Sequence, residues 1–298
     1  MKIDYCIIYN PQSGVKKGYK ILNNFTSILQ ENSKTFHIEK TQYAGYAKKY
    51  VMHLNLDLFA NLITIGGDGT FNEIINGLMS NKNQGHFPKL GFIPAGSGNA
   101  FMHDLQATNP KKAIKIILNG NTKKLDILKL DYFNKINYSM NIVGWGLASD
   151  ILILSEKLRF LGPSRYTLSS IYYTLNKTSR KAKIIIDGNE ITDNYLFILI
   201  LNTIHTGKGM KAAPDALIDD GLMDIILLPN TISKIGLLKL LPKLFTGQHV
   251  LSNHVDYIKA KKIELYPEIN EVLNIDGEIK SQTPVSISII PQKFNIYA

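Results

Sequence analysis

The chain has 298 residues, 45% of them hydrophobic and 19% charged, enough apolar material to bury one large core or two ordinary ones, which excludes disorder as the dominant state. Lys and Arg number 34 against 24 Asp and Glu, a formal charge of +10 that favours phosphates, anionic membranes or nucleic acid as partners. Residues 1–150 hold 17 basic and 10 acidic side chains and residues 151–298 hold 17 and 14, so the excess lies mostly in the first half.

From residue 3 to about 120, short apolar runs alternate with segments of helical periodicity, as in a βαβ succession. Strands are predicted over 3–9, 35–39, 62–65 and 90–93, and helices over 17–30, 43–55, 71–79 and 111–118. This predicts an α/β domain with an open, mostly parallel sheet, whose ligands bind at the carboxyl ends of the strands. Beyond about residue 123 the pattern becomes strand-rich, with runs at 125–133, 138–143, 182–186, 195–202, 223–228, 257–265, 272–275 and 285–290. Helical insertions are expected at 148–157, 165–177 and 232–245. The predicted division is 1–123 for the α/β domain and 124–290 for a β-rich sandwich domain, with the option that the last residues, 291–298, rejoin the first.

The single cysteine, Cys6, excludes an intrachain disulfide, and no Cys/His set at zinc spacing accompanies it, which suits a reducing compartment. Residues 1–10 have too short an apolar run for a secretory signal, and the longest apolar stretches fall far short of the roughly 18 residues that span a bilayer. The expected location is cytoplasmic, with peripheral membrane association during turnover.

Three loops after predicted strands carry glycine: Asn10-Pro11-Gln12-Ser13-Gly14, Gly66-Gly67-Asp68-Gly69-Thr70-Phe71-Asn72-Glu73, and Pro94-Ala95-Gly96-Ser97-Gly98-Asn99. Glycines let an anion approach the backbone without Cβ clashes, so three such loops on one sheet edge form a phosphate cradle, with Asp68 in a phosphate or metal site. Each loop alone also reads as a turn, and Thr70 with Glu73 has the spacing of a capping box. Neither the Walker lysine pattern nor the Rossmann GxGxxG occurs at these positions.

Together these loops resemble the catalytic domain of the diacylglycerol kinase and sphingosine kinase superfamily. The resemblance continues through Trp145-Gly146 and Ser155-Glu156-Lys157, through Pro214-Asp215-Ala216 to Asp219-Asp220-Gly221, and through Asp276-Gly277-Glu278. It implies transfer of the γ-phosphoryl of ATP, with Mg²⁺, to a lipid hydroxyl in a cleft between two domains. It implies ATP contacts at Asn10, Ser13, Gly14, Thr41, Gly66, Gly67, Asp68, Gly69, Thr70, Phe71, Asn72, Gly96, Ser97 and Asn99. Glu278 is the implied general base, with Asp68 the competing candidate. Because phosphoryl transfer passes through a loose transition state, charge neutralisation and alignment matter more than a strong base, which assigns Asp68 to metal and nucleotide and Glu278 to the proton. The Asp276-Gly277 pair alone reads as a hairpin turn.

Bacterial relatives further imply a structural Mg²⁺ held by Asp220 and the carbonyls of Leu217 and Leu222. Where sphingosine kinases place an aspartate for the acceptor's polar head, two residues after Asp150, this sequence has Leu152, which offers no counter-charge to a cationic amine and leaves neutral acceptors at least as well supported. Asp150 is either a substitute carboxylate or a helix cap. The helical insertions mix apolar and basic residues, as core-facing or membrane-interface helices do. The expected partner is a lipid substrate at a membrane surface, with no nucleic acid and an open oligomeric state that includes a homodimer. The alternatives are an NAD kinase-like soluble kinase, which shares the Gly66–Thr70 pattern, and a non-catalytic lipid- or nucleotide-binding module.

Overall fold

The computed structural model describes residues 2–14, 17–82, 86–96, 98–207 and 209–298. They form two compact units, Met1–Asp126 with Pro291–Ala298, and Ile127–Ile290.

In the first unit the elements run β1 (Ile3–Tyr9), α1 (Gly18–Glu31), β2 (Phe36–Lys40), α2 (Tyr46–His53), β3 (Phe59–Gly66), α3 (Asp68–Met79), β4 (Lys89–Pro94), α4 (Ala100–Asp104) and α5 (Pro110–Asn119). The sheet order is β2-β1-β3-β4, and these strands pair in parallel. Such a sheet is covered on both faces, which is why β1, β3 and β4 read as nearly unbroken apolar runs. From β1 the chain moves outward to β2, then crosses to β3 on the other side of β1. This reversal sits between β1 and β3, and at such a point the following loops diverge and leave a crevice.

The second unit begins within β5 (Thr122–Tyr132), followed by β6 (Lys135–Ser139), β7 (Ile142–Gly146), α6 (Leu147–Lys157), α7 (Arg165–Leu175), β8 (Arg180–Ile186), β9 (Asn189–Leu201) and the short pair β10 (His205–Thr206) and β11 (Met210–Lys211). It continues through β12 (Met223–Pro229), α8 (Lys234–Leu240), β13 (Asp256–Ala260), β14 (Lys262–Pro267), β15 (Val272–Ile275), β16 (Glu278–Gln282) and β17 (Val285–Tyr297), the last of which re-enters the first unit. Pairing between its strands is antiparallel. Ile198 and Ile200 of β9 enter one core with Val143, Trp145 and Ile263, while Leu199 and Leu201 enter a second with Leu237 and Leu240 of α8. Burial on both faces explains why this strand is apolar without alternation.

Two segments expected as single strands are each two. The 138–143 run breaks because the buried Asp276 carboxylate accepts the N–H groups of Met140, Asn141 and Ile142, at 3.2, 3.2 and 2.9 Å, and the Ser139 hydroxyl at 2.6 Å. The 257–265 run breaks because Asp187 accepts the N–H groups of Lys261 and Lys262. An aspartate brought from elsewhere in the chain thus outcompetes a neighbouring strand for the backbone. The expected helix at 232–245 ends at Leu240 and tightens into a 3-10 turn over Leu241–Phe245, where Pro242 removes a donor. Among the described residues no helix is long and apolar enough to cross a membrane.

Replacing Asp276 by Ala leaves three buried amides and a hydroxyl without this acceptor. Urea unfolding of Asp276→Ala is expected to show a loss of about 3 kcal/mol, the scale of leaving buried donors unmet.

Candidate active site

At the carboxyl end of the parallel sheet the loops after β1, β3 and β4 touch one another through backbone. Gly14 has φ +53°, and a Cβ built on it would lie 1.7 Å from the Ala95 carbonyl oxygen. Gly67 and Gly96 face each other, a Cβ on Gly96 lying 2.7 Å from Gly67 Cα. The Gly66 carbonyl accepts the N–H groups of Ala95 at 2.6 Å and Gly96 at 3.2 Å, and Asn10 N–H donates to Ile65 O at 2.9 Å. Only glycine fits such contacts, and what they leave at the sheet edge is peptide amide.

The glycine loop enters α3 one turn earlier than expected. Helix α3 starts at Asp68 with Gly67 as its cap residue and no capping side chain, so its first-turn amides and dipole form an anion-binding end. The capping box is therefore not formed. Thr70 lies inside the first turn and its Oγ1 accepts Asn10 Nδ2 at 3.2 Å, tying the first loop to the second. Glu73 instead accepts the N–H groups of Gly45 at 2.8 Å and Ala47 at 3.0 Å, capping α2. Its carboxylate so links α3 to the Thr41–Gly45 turn, a role that its position in sequence does not reveal.

The Asp68 carboxylate reaches the third loop, where Oδ2 accepts the Ala100 N–H at 3.0 Å and Oδ1 the Phe101 N–H at 3.4 Å. A carboxylate oxygen is a hard donor of the kind that Mg²⁺ prefers. Asn99, in the left-handed conformation, donates from Nδ2 to the Gly96 carbonyl at 2.8 Å. Thr41 is buried at the end of β2 and donates its N–H to Tyr9 O. Asn10, Gly14, Gly66, Gly67, Asp68, Thr70, Gly96 and Asn99 are thus drawn into one network. Ser13 belongs to the first loop by its N–H bond to Asn10 O, and Gly69 is the second residue of α3. Ser97 lies outside the described residues. Two expected ATP contacts face the core instead: Phe71 is fully buried against Phe92, which also meets Phe101, and the buried Asn72 accepts Asn76 Nδ2 on Oδ1. Both lie past the first turn of α3, on the side that packs inward.

In the second unit Asp276 and Gly277 have φ +49° and +87° and join β15 to β16 as a two-residue hairpin with Ile275 opposite Glu278. The neighbours differ in fate. Asp276 is buried in its amide cage, while Glu278 is 47% exposed and pairs with Lys280 at 2.5 Å. Asp150 does not cap α6, whose cap residue is Gly146. Its Oδ2 meets Arg180 Nη2 at 2.7 Å, and Arg180 Nε meets Glu271 Oε1 at 2.6 Å. Burial works against the guanidinium charge, and hydrogen bonds to Glu271 and Asp150 more than restore it, raising its pKa. Leu152 is buried on the same helix.

The segment expected to hold a structural Mg²⁺ already contains a cation. Lys259 Nζ donates to Asp220 Oδ2 at 3.1 Å and to the Asp215 carbonyl at 2.9 Å, and lies 3.6 Å from the buried Asp224. Asp220 Oδ1 accepts the Leu222 N–H at 3.0 Å, and the Leu217 side chain faces solvent. Burial opposes the ammonium charge, but Asp220 and Asp224 hold the Lys259 pKa above its ordinary value, while burial raises that of Asp224. A divalent ion held by Asp220 and the carbonyls of Leu217 and Leu222 would share Asp220 with Lys259 or displace it. No group of three or more metal-ligating side chains occurs among the described residues.

Residues 4–130 match the family model described as the diacylglycerol kinase catalytic domain, and residues 141–298 that of the YegS C-terminal NAD kinase beta sandwich-like domain. The chain is 29% identical over 295 residues to a diacylglycerol kinase of Staphylococcus carnosus (strain TM300), covering 98% of this chain and 94% of the relative. It is 25% identical over 328 residues to sphingosine kinase 1 of Arabidopsis thaliana, covering 92% and 67%. A solved structure of a diacylglycerol kinase from Bacillus anthracis str. Sterne superposes with a TM-score of 0.80 at 26% identity, covering 99% of this chain and 96% of that one. Fold, loops and relatives define a lipid kinase, for which ATP is the phosphoryl donor. The chain belongs to the family that joins a diacylglycerol kinase catalytic domain to a YegS-type β-sandwich domain. Relatives named for lipid substrates do not favour the NAD kinase alternative.

Two outcomes are expected here. Gly96→Ala forces Gly67 and Gly96 apart and weakens nucleotide binding by about tenfold or more, the equivalent of 1.4 kcal/mol, as read by calorimetric titration. Lys259→Met leaves Asp220 and Asp224 without their cation and costs about 2 kcal/mol in urea unfolding. The melting temperature of that variant rises more with added Mg²⁺ than that of the unaltered protein.

Proposed function

We propose that the protein transfers the γ-phosphoryl of ATP to the hydroxyl of a neutral lipid, of diacylglycerol or ceramide type, at a membrane surface. The observation that carries this reading is the backbone-packed cradle of three glycine loops at the uncapped start of α3. Its amides offer fixed partial positive charge to a polyphosphate, and Asp68 is held between the second and third loops.

Asn10, Gly14, Gly66, Gly67, Gly69 and Gly96 hold the phosphates, and Asp68 holds the Mg²⁺ that accompanies the nucleotide. Bound there, Mg²⁺ supplies the charge neutralisation on which a loose phosphoryl-transfer transition state depends. Glu278 takes the acceptor proton. Its exposed carboxylate, paired with Lys280, can reach a hydroxyl and accept from it. Asp150 lies at the acceptor's polar head.

Membrane contact falls to the second unit. Phe160 and Leu251 are 80% and 79% exposed, and Tyr172, Leu175 and Phe245 are also exposed, among Lys157, Arg159 and Lys243. Apolar side chains among basic ones suit an anionic interface, where each cation near the surface adds about 1 kcal/mol.

Labelled ATP and Mg²⁺ supplied with micelles of diacylglycerol, ceramide, sphingosine and monoacylglycerol test the reading. The expected product is a labelled neutral lipid, and no labelled lipid from any acceptor, with folded protein, rejects the kinase. Glu278→Gln is expected to keep ATP binding and lose turnover by about a hundredfold or more, the usual weight of a general base. Asp68→Asn is expected to weaken the Mg-nucleotide complex instead, and near-normal turnover in Glu278→Gln rejects the base assignment.

A further inference from the structure

A polar pocket of about 190 Å³ lies within the second unit, lined by Gly146, Ser149, Asp150, Asn270, Glu271 and neighbouring residues of β15 and β16. Two carboxylates face it, which in isolation would make it a cation site. Arg180 alters that. From the start of β8 its guanidinium binds Asp150 through Nη2 and Glu271 through Nε, with Arg180 and Asp150 both mostly buried. A planar guanidinium held at both edges is fixed in place as a lysine would not be. Arg180 Nη1 and Glu271 Oε2 remain buried and without a partner, one a donor and the other an acceptor. A hydroxyl, which both donates and accepts, suits such a mixed set, whereas an ammonium can only donate and meets the guanidinium charge.

We propose that Arg180, with Glu271, is a specificity determinant of the acceptor pocket: by engaging both Asp150 and Glu271 it halves the pocket's negative charge and sets a fixed cation beside it, which favours a neutral hydroxyl head group over a cationic amine. This rests on the reading of Asp150 as the acceptor's polar contact. Selectivity is then set by a residue 30 positions from the aspartate it controls. The absence of an acid at Leu152 is only half of the discrimination. The other half is that the acid still present at Asp150 is already paired.

The test is a charge series on the complete chain, with the ratio of kcat/KM for sphingosine to that for diacylglycerol as its readout. Arg180→Gln uncovers two carboxylates and is expected to raise the ratio at least tenfold. Glu271→Gln leaves Arg180 paired with Asp150 alone, removes a negative charge and is expected to lower the ratio at least threefold. If either folded variant leaves the ratio within twofold of the unaltered protein, the proposal is wrong. Should Arg180→Gln fail to fold, Glu271→Gln decides alone. Binding is read independently of turnover through Trp145, the only tryptophan in the chain and the neighbour of Gly146 in the pocket wall. Titration with a short-chain sphingoid base and a short-chain diacylglycerol should show the same reversal of preference. If the unaltered protein phosphorylates no lipid, the kinase reading fails, and the fluorescence titration still supports or rejects the pocket's charge selectivity.

Discussion

The contact between peptide backbones at Gly14, Gly67 and Gly96 governs the rest of the nucleotide-binding edge. Ala95 O and Gly96 Cα stand where a side chain on the facing loop would have to be. Since no Cβ can enter, the three turns close on one another and their polar groups bond across them. Gly66 O accepts two amides of the third loop, Thr70 Oγ1 accepts Asn10 Nδ2, and Asp68 accepts the amides that open α4. The parallel order β2-β1-β3-β4 makes this possible by placing the ends of β1, β3 and β4 side by side, while α3 brings its N-terminal dipole to the middle loop.

Carboxylates organise the second unit in a similar way, at sites where no reaction has to be invoked. Asp276 and Asp187 each gather consecutive amides and thereby end a strand. Asp150 and Glu271 share one arginine, and Asp220 and Asp224 share one lysine. A burial cost met by several hydrogen bonds or by an internal cation fixes loop geometry between strands that the hydrophobic effect alone would leave free to slide. This accounts for Asp187, Asp220, Asp224, Glu271 and Asp276, five of the 14 acidic residues in the second half of the chain.

Local patterns made the α/β and β-sandwich architecture legible, because strands such as Ile3–Tyr9 and Val272–Ile275 are apolar runs between turn residues. Glycine spacing likewise exposed the three-loop cradle, since few sequences other than close backbone approach require glycine at 14, 67 and 96. Long-range pairing stayed hidden. Nothing near Tyr138 or Lys261 announces that Asp276 and Asp187 will interrupt those runs, and Glu73 has the spacing of a local cap while serving another helix. Phe71 and Asn72 sit within the motif but past the first helical turn, where the helix period rotates them inward. Motif membership therefore does not imply exposure.

The hairpin at Asp276 and Gly277 shows how structural and proposed chemical roles can divide between adjacent residues. Both turn residues have positive φ, and Gly277 N–H is further held by Asn274 Oδ1 at 2.9 Å. The buried Asp276 fixes the turn to residues 139–142, so the backbone of Glu278, opposite Ile275, is anchored on both strands. Its carboxylate nevertheless faces solvent beside Lys280. A proton acceptor needs this combination, because alignment demands a fixed main chain while proton transfer demands a reachable oxygen. If the two acids exchanged places, the glutamate at 276 would be one methylene too long for the amide cage and the aspartate at 278 one methylene shorter in its reach, so the turn would lose its anchor. The order Asp-Gly-Glu is thus constrained by the physics of burial on one side of the glycine and of access on the other.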